Sequence, residues 1–184
     1  KSSGADRISV NPQTMNNNVL RIIGRNHTAE DTVRAFFSAR EEGFDNINMD
    51  LIAGLPSDTA ESYHQTLDRI IDLNPESITV HTLTIKRSAK IYEDDIEKYL
   101  TAPASEMVNE SIRTLPENGY LPYYLYRQKN TVENLENIGF AKKERESLYN
   151  IFIMDETQTI LGAGCAASTK IVQPNGKITR IHNY

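Results

Sequence analysis

The chain has 184 residues, enough for one domain or one domain with a small appendage. Hydrophobic residues make up 39% and charged residues 24%, which supports a packed core and excludes a charge-driven disordered chain. Twenty Lys+Arg against twenty-five Asp+Glu give a net charge of −5, a balance that argues against nucleic-acid or membrane-surface partners, which need a basic patch. No apolar run approaches the ~18 residues of a membrane span. The lone Cys165 excludes an intrachain disulfide and any Cys-only metal site within the chain. The expectation is a cytoplasmic protein. The start at Lys1 without a methionine, and the end at Tyr184 inside a strand-like run, lead us to expect a piece of a longer protein.

Arg7 to Pro12 alternates apolar Ile8 and Val10 with polar Ser9 and Asn11, as a half-buried strand does. A short helix is expected over Asn16–Ile23, ending at Gly24. Thr28 then suits the N-cap of a helix from Ala29 to Glu42, with Asp31 opposing its N-terminal dipole and Gly43 stopping it. Asn46–Ile52 alternates again, with Ile47, Met49 and Leu51 on one face and Asn46, Asn48 and Asp50 on the other. After Gly54-Leu55-Pro56, Tyr63, Leu67, Ile70 and Ile71 recur at helical spacing within Ala60–Leu73, which Asn74-Pro75 terminates. A third strand is expected over Ser77–Thr84. Strands joined by single helices pair in parallel with right-handed crossovers, so residues 1–100 read as α/β. Lys86–Leu100 reads as a charged linker. Ala104–Leu115 reads as a helix stopped by Pro116 and Gly119. Thereafter strands are expected at Tyr120–Tyr126 and Leu148–Met154, and Ile171–Ile181 reads as a hairpin turning at Pro174-Asn175-Gly176. The expected division is 1–100 and 101–184, the latter a β-rich α+β region.

Parallel α/β sheets bind ligands beyond the carboxyl ends of their strands. Gln13, Asp50 and Thr84 fall there. The first two continue polar faces (Ser9/Asn11/Gln13 and Asn46/Asn48/Asp50), whereas buried parallel strands usually run apolar throughout. Such faces point to a wet or ligand-filled lumen, or alternatively to an open sheet edge meeting solvent. Asp50 offers a carboxylate that accepts from ligand hydroxyls, ribose among them, and Gly54 offers a tight turn and close ligand approach. Arg25, in a loop, is either a solvated surface charge or a bidentate partner for a ligand carboxylate. Leu161-Gly162-Ala163-Gly164 is either a cradle for a cofactor edge or a close-packed strand end, and it is no dinucleotide fingerprint. Among the four histidines, His27, His64 and His182 read as exposed, and mid-strand His81 is the one of interest. Cys165 reads as a small packing residue rather than a nucleophile.

Asp6-Arg7-Ile8-Ser9-Val10-Asn11-Pro12-Gln13-Thr14-Met15-Asn16, Ile23-Gly24-Arg25-Asn26-His27-Thr28 and Gly43 through Pro56 resemble the oxygen-independent coproporphyrinogen III oxidases, which are radical S-adenosylmethionine (SAM) enzymes. Leu73 through Val80 and Leu161-Gly162-Ala163-Gly164 continue the likeness. The Asn11-Pro12-Gln13-Thr14-Met15 wording, with Tyr123, Tyr124 and Tyr126, resembles the coproporphyrinogen dehydrogenase branch. The resemblance implies a partial (β/α)6 barrel of which this chain supplies the last three β/α units and the C-terminal region. It also implies SAM contacts at Gln13, Arg25 and Asp50, with further ones at Thr84 and Ser168, where other members carry apolar residues.

The family's [4Fe–4S] cluster sits on a Cys-x-x-x-Cys-x-x-Cys loop, and neither this loop nor the family's Gly-Gly-Gly-Thr-Pro motif occurs here. That cluster cleaves SAM reductively to a 5′-deoxyadenosyl radical, so the chain alone is expected to be inert. By resemblance the parent is an oxidoreductase that decarboxylates coproporphyrinogen III oxidatively to protoporphyrinogen IX in haem synthesis. Its partners would be a tetrapyrrole substrate and an electron donor, with no nucleic acid and no membrane. The alternatives are a haem-binding chaperone of the same superfamily and an α/β binding module without radical chemistry. The unpaired edge of the first strand is expected to favour self-association.

Overall fold

A computed structural model describes residues 4–84 and 102–183, so the linker expected at Lys86–Leu100 lies outside the described residues. Two compact units divide between Glu146 and Ser147. In the first, β1 (Ile8–Gln13), β2 (Ile47–Ala53) and β3 (Ser77–Thr82) alternate with α1 (Asn17–Ile22), α2 (Ala29–Glu41) and α3 (Ala60–Leu73). Helix α4 (Ala104–Glu117) and strands β4 (Leu121–Tyr126) and β5 (Asn137–Ala141) follow. The sheet order is β1-β2-β3-β5-β4, with the first three strands parallel and β5 and β4 added antiparallel. The α/β architecture read from the sequence is therefore present. Helix α4 and strands β4 and β5, expected in a separate region from residue 101, join the first unit instead.

Local chemistry explains the boundaries. Thr28 caps α2 through a reciprocal box: its side chain accepts from Asp31 N at 3.1 Å while Asp31 Oδ2 accepts from Thr28 N at 2.8 Å. Thr59 caps α3, and Asn74 ends it in the left-handed region at φ 59° before Pro75. Helix α4 runs one residue beyond Pro116, closing with i→i+3 bonds from Asn118 N to Leu115 O and Gly119 N to Pro116 O.

The helices cover one face of the sheet. Ile47, Met49, Leu51 and Ala53 of β2 and Ile78 and Val80 of β3 are fully buried beneath Phe36, Tyr63, Leu67, Ile70, Met107 and Leu115. Two tyrosines reach polar partners inside this core. The Tyr63 hydroxyl lies 2.8 Å from Ser111 Oγ, joining α3 to α4, and the Tyr120 hydroxyl donates to Pro75 O at 2.9 Å. At the amino end of β2 and β3 the Arg40 guanidinium grips Glu76 with two 2.9 Å bonds, and Glu76 Oε2 also accepts from Ile47 N.

The second unit carries α5 (Leu148–Asp155) and the hairpin β6 (Ser168–Val172) and β7 (Ile178–His182). The hairpin matches the sequence expectation, with Lys177 N donating to Asn175 Oδ1 at 3.0 Å in its turn. The strand expected at Leu148–Met154 is a helix. A short apolar run carries no decisive periodicity, and the Ser147 side chain accepts from Asn150 N to start a helical turn. Among the described residues no helix is long and apolar enough to cross a membrane.

Replacing Arg40 by Met keeps the aliphatic stem and strips Glu76 of its fork, so unfolding free energy in urea should fall by about 1–3 kcal/mol. His64 on α3 lies 2.6 Å from Glu110 on α4 and 3.4 Å from Asp68. The Glu110 hydrogen bond, then the Asp68 and Glu110 charges, raise its pKa above the ordinary 6.5. A raised folded-state pKa gives stabilisation that is complete below 6.5 and fades as pH rises through the folded value. The urea midpoint should therefore drop more between pH 6 and about 8 in the native chain than in His64→Gln.

Candidate functional site

The alternation that sends Met49 and Leu51 into the helices sends Asn48 and Asp50 to the opposite face of β2. Register adds neighbours there: Ser9 of β1 stands beside Asn48, and Thr79 of β3 beside Asp50. Asn48 Nδ2 donates to Asp50 Oδ1 at 2.7 Å and to Ser9 Oγ at 3.3 Å, and Thr79 Oγ1 donates to Asn48 Oδ1 at 3.1 Å. His81 Nε2 stands 3.8 Å from Asp50 Oδ2. From β4, Tyr124 lies across β5 over Gly139, where any Cβ would collide with its ring, and its hydroxyl comes within 3.5 Å of Thr79 Oγ1. Tyr126 stacks parallel to it with ring centroids 6.2 Å apart.

The electrostatics follow from this packing. Burial is the largest influence on Asp50 and pushes its pKa up. The nearby His81 imidazole, the Asn48 hydrogen bond and the neighbouring Thr79 hydroxyl outweigh that and hold it below the ordinary 3.8. Burial pushes the Tyr124 phenol up to about 12, and burial and the Asp50 charge raise Tyr126 as well. The face therefore presents one ionised carboxylate among protonated hydroxyl groups.

The sequence-predicted residues are distributed unevenly around this face. Gln13 ends β1 opposite Leu51, after a register shift spanning Asn11 and Pro12, and it is buried. Its φ of 67° is unusual for a residue with a side chain, and its Nε2 donates to Asn11 O at 3.4 Å. Arg25 is exposed in the loop between α1 and α2, and its side chain pairs with no carboxylate among the described residues. Thr84 lies past the end of β3, bridged to Thr131, with its hydroxyl donating to Gln128 Oε1 at 3.0 Å. Ser168 opens β6 in the second unit and is exposed.

Two expectations need correction, at Gly54 and Cys165, and one open choice is resolved, at Gly162. Gly54 does adopt φ +80°, but the group it admits is protein: an added Cβ would stand 2.8 Å from Ala104 Cβ at the start of α4. A Cβ added at Gly162 would stand 2.8 Å from the Ser168 backbone, and Asn183 Nδ2 donates to Gly162 O and Gly164 O, so of the two readings close packing applies. Cys165 is exposed rather than packed, because it sits in a turn. Sequence motifs alone do not point to Thr79 or to the placement of Tyr124 on the polar face. The polar alternation Ser77, Thr79, His81 within β3 carried the first signal. The second depends on β5, whose Gly139 makes room for the ring.

Residues 1–70, which supply β1 and β2 of this face, match the family described as the Radical SAM superfamily. Over 182 residues the chain is 46% identical to the oxygen-independent coproporphyrinogen-III oxidase-like protein HemZ of Bacillus subtilis, spanning 97% of this chain and 36% of that protein. It is 28% identical to the heme chaperone HemW of the same organism, over 89% of this chain and 41% of that protein. Coproporphyrinogen III oxidase (HemN) from Escherichia coli, solved as a radical SAM enzyme, superposes with a TM-score of 0.66 at 25% identity, over 91% of this chain and 39% of that one. The chain is thus similar over nearly its whole length to the coproporphyrinogen-III oxidase-like protein HemZ, and it spans little more than a third of that protein's length.

The superfamily's groups are SAM and a [4Fe–4S] cluster. With a single cysteine, this chain does not fit the cluster, which takes three cysteines in this family. SAM is a different matter. An ionised Asp50 beside His81, on a face of hydroxyls and amides, has the donor and acceptor chemistry for a polyhydroxylated nucleoside.

A depressed folded-state pKa means that ionised Asp50 stabilises the chain above 3.8, and that this is withdrawn as pH falls through the lowered value. Chemical denaturation between pH 5 and about 3 should therefore show a shallower loss of stability in Asp50→Asn than in the native chain.

Proposed function

We propose that this chain forms the C-terminal part of a radical SAM oxidoreductase, and that Asp50, Gln13 and Arg25 contribute to its SAM pocket. Asp50 accepts from the ribose hydroxyls, Gln13 offers amide hydrogen bonds from the end of β1, and Arg25 meets the ligand carboxylate. Thr84 belongs to the same proposal, and Ser168, in the second unit, is proposed separately as a SAM contact. The observation that carries it is the ionised Asp50 beside His81 on the polar face of three parallel strands. SAM and the cluster, when bound, supply one-electron chemistry, while the residues of this chain bind and orient the nucleoside. The proposed substrate is coproporphyrinogen III, decarboxylated oxidatively at two propionates to protoporphyrinogen IX in the cytoplasm with an external electron donor. The 46% identity to a coproporphyrinogen-III oxidase-like protein supports this. Residues 101–184 would help to face the tetrapyrrole.

A second reading, a haem chaperone, draws on the heme chaperones that match 89–98% of this chain. Anaerobic assay of the whole protein, with its cluster reconstituted, separates the two. The oxidoreductase turns coproporphyrinogen III over with consumption of SAM, and Asp50→Asn weakens SAM binding by about tenfold or more in calorimetry. Stoichiometric haem binding without porphyrinogen turnover would establish the chaperone. The 184-residue chain by itself should cleave no SAM.

A further inference from the structure

The hydrogen bonds around Asp50 run in one direction, and chemistry fixes that direction. An ionised carboxylate only accepts, so Asn48 must turn its amide nitrogen toward Asp50 Oδ1, at 2.7 Å. The second amide hydrogen then meets Ser9 Oγ at 3.3 Å, and Asn48 Oδ1 is left to accept. Thr79 fills it at 3.1 Å with its one hydroxyl hydrogen, so in the 3.5 Å contact between hydroxyls the Tyr124 phenol is the donor. With its pKa pushed up to about 12, that phenol keeps its proton throughout the physiological range. Donors from β4, β3 and β2 thus line up toward one carboxylate. Asn48 and Thr79 are each only 3% exposed, too buried to meet a ligand themselves. The charged and titratable groups that face Asp50 on this side of the sheet are His81 from β3 and Tyr124 and Tyr126 from β4.

We propose that Asn48 and Thr79 are positioning residues for Asp50, fixing the orientation of its carboxylate so that Oδ1 is spent inside the protein and Oδ2 is turned toward His81. The ligand side of this inference rests on the reading of Asp50 as the carboxylate that meets SAM; the positioning itself does not.

The test compares Thr79→Val, which keeps the shape and loses the hydroxyl, with Thr79→Ser, which loses the methyl and keeps the hydroxyl. Two readouts are taken: the titration midpoint of the Asp50 carboxyl by 13C NMR in this chain, and SAM affinity of the whole protein by calorimetry. Valine should raise the midpoint by about half a pH unit or more and weaken SAM by about fivefold to tenfold. Serine should stay near the native values in both. A purely structural role predicts the reverse ranking or equal losses, since serine opens a cavity. Should Thr79→Val fail to fold, Tyr124→Phe should raise the midpoint in the same direction by a smaller amount. An Asp50 midpoint unmoved in the folded valine variant, or unmoved in Tyr124→Phe where that variant stands in for it, overturns the proposal. If the midpoint moves while Asp50→Asn leaves SAM affinity intact, the positioning holds and the SAM contact of Asp50 fails instead.

Discussion

The strict alternation of β2 is the constraint on which the rest of the first unit depends. Ile47, Met49, Leu51 and Ala53 have no exposed surface, because α2, α3 and α4 press on that face of the sheet. A slip of one residue would drive Asn48 and Asp50 into this apolar layer and strip the helices of their partners, so the register is strongly fixed. The same constraint delivers Asp50 to the opposite face at a defined height beside Thr79 and within reach of His81. The Arg40–Glu76 fork works in the same sense from the amino end, tying α2 to the starts of β2 and β3 where Glu76 also holds Ile47 N.

On the polar face, satisfaction of hydrogen bonds replaces packing as the organising principle. Asn48 uses both amide hydrogens and its carbonyl on three different strands, which leaves it one orientation. The reach of this network to β4 depends on Gly139: with a side chain there, the Tyr124 ring would have nowhere to lie. A glycine in the middle of a strand weakens pairing in general, and here its service is to let an aromatic ring cross to the next strand. The outcome is a carboxylate kept ionised in a half-buried place.

The relatives fit this division of labour. Coproporphyrinogen III oxidase from Escherichia coli superposes over most of the chain, while the chain spans little more than a third of HemZ. The chain carries an acceptor face but a single cysteine, too few for the three-cysteine cluster site of the superfamily. The glycines of the second unit, which invite comparison with a cofactor cradle, fold on their own hairpin through Asn183 and the Ser168 backbone.

Much of the first unit was legible in the sequence, because its signals are local. Thr28 with Asp31, Asn74 with Pro75 and the alternation of Asn46–Ile52 each act through neighbours a few residues away, and so α2, α3, β1, β2 and β3 were readable, with Asp50 marked as the residue of interest. Strand β5 was not, since Asn-Ile-Gly-Phe-Ala lacks strong strand propensity and is a strand because β3 and β4 bind it on both sides. Residues 148–154 look like a strand by their Ile, Tyr and Phe content, and one capping bond from Ser147 tips them into a helix. Gly54 reads as a tight turn, but that its close neighbour is Ala104, fifty residues on, depends on where α4 docks. The sequence by itself determined which residues are polar and which face of each early strand they share. Only the tertiary structure decided which of them meet, because contacts such as Thr79 with Asn48 and Tyr124 with Thr79 arise from strand register and from the space left by Gly139, neither of which is encoded within any one segment.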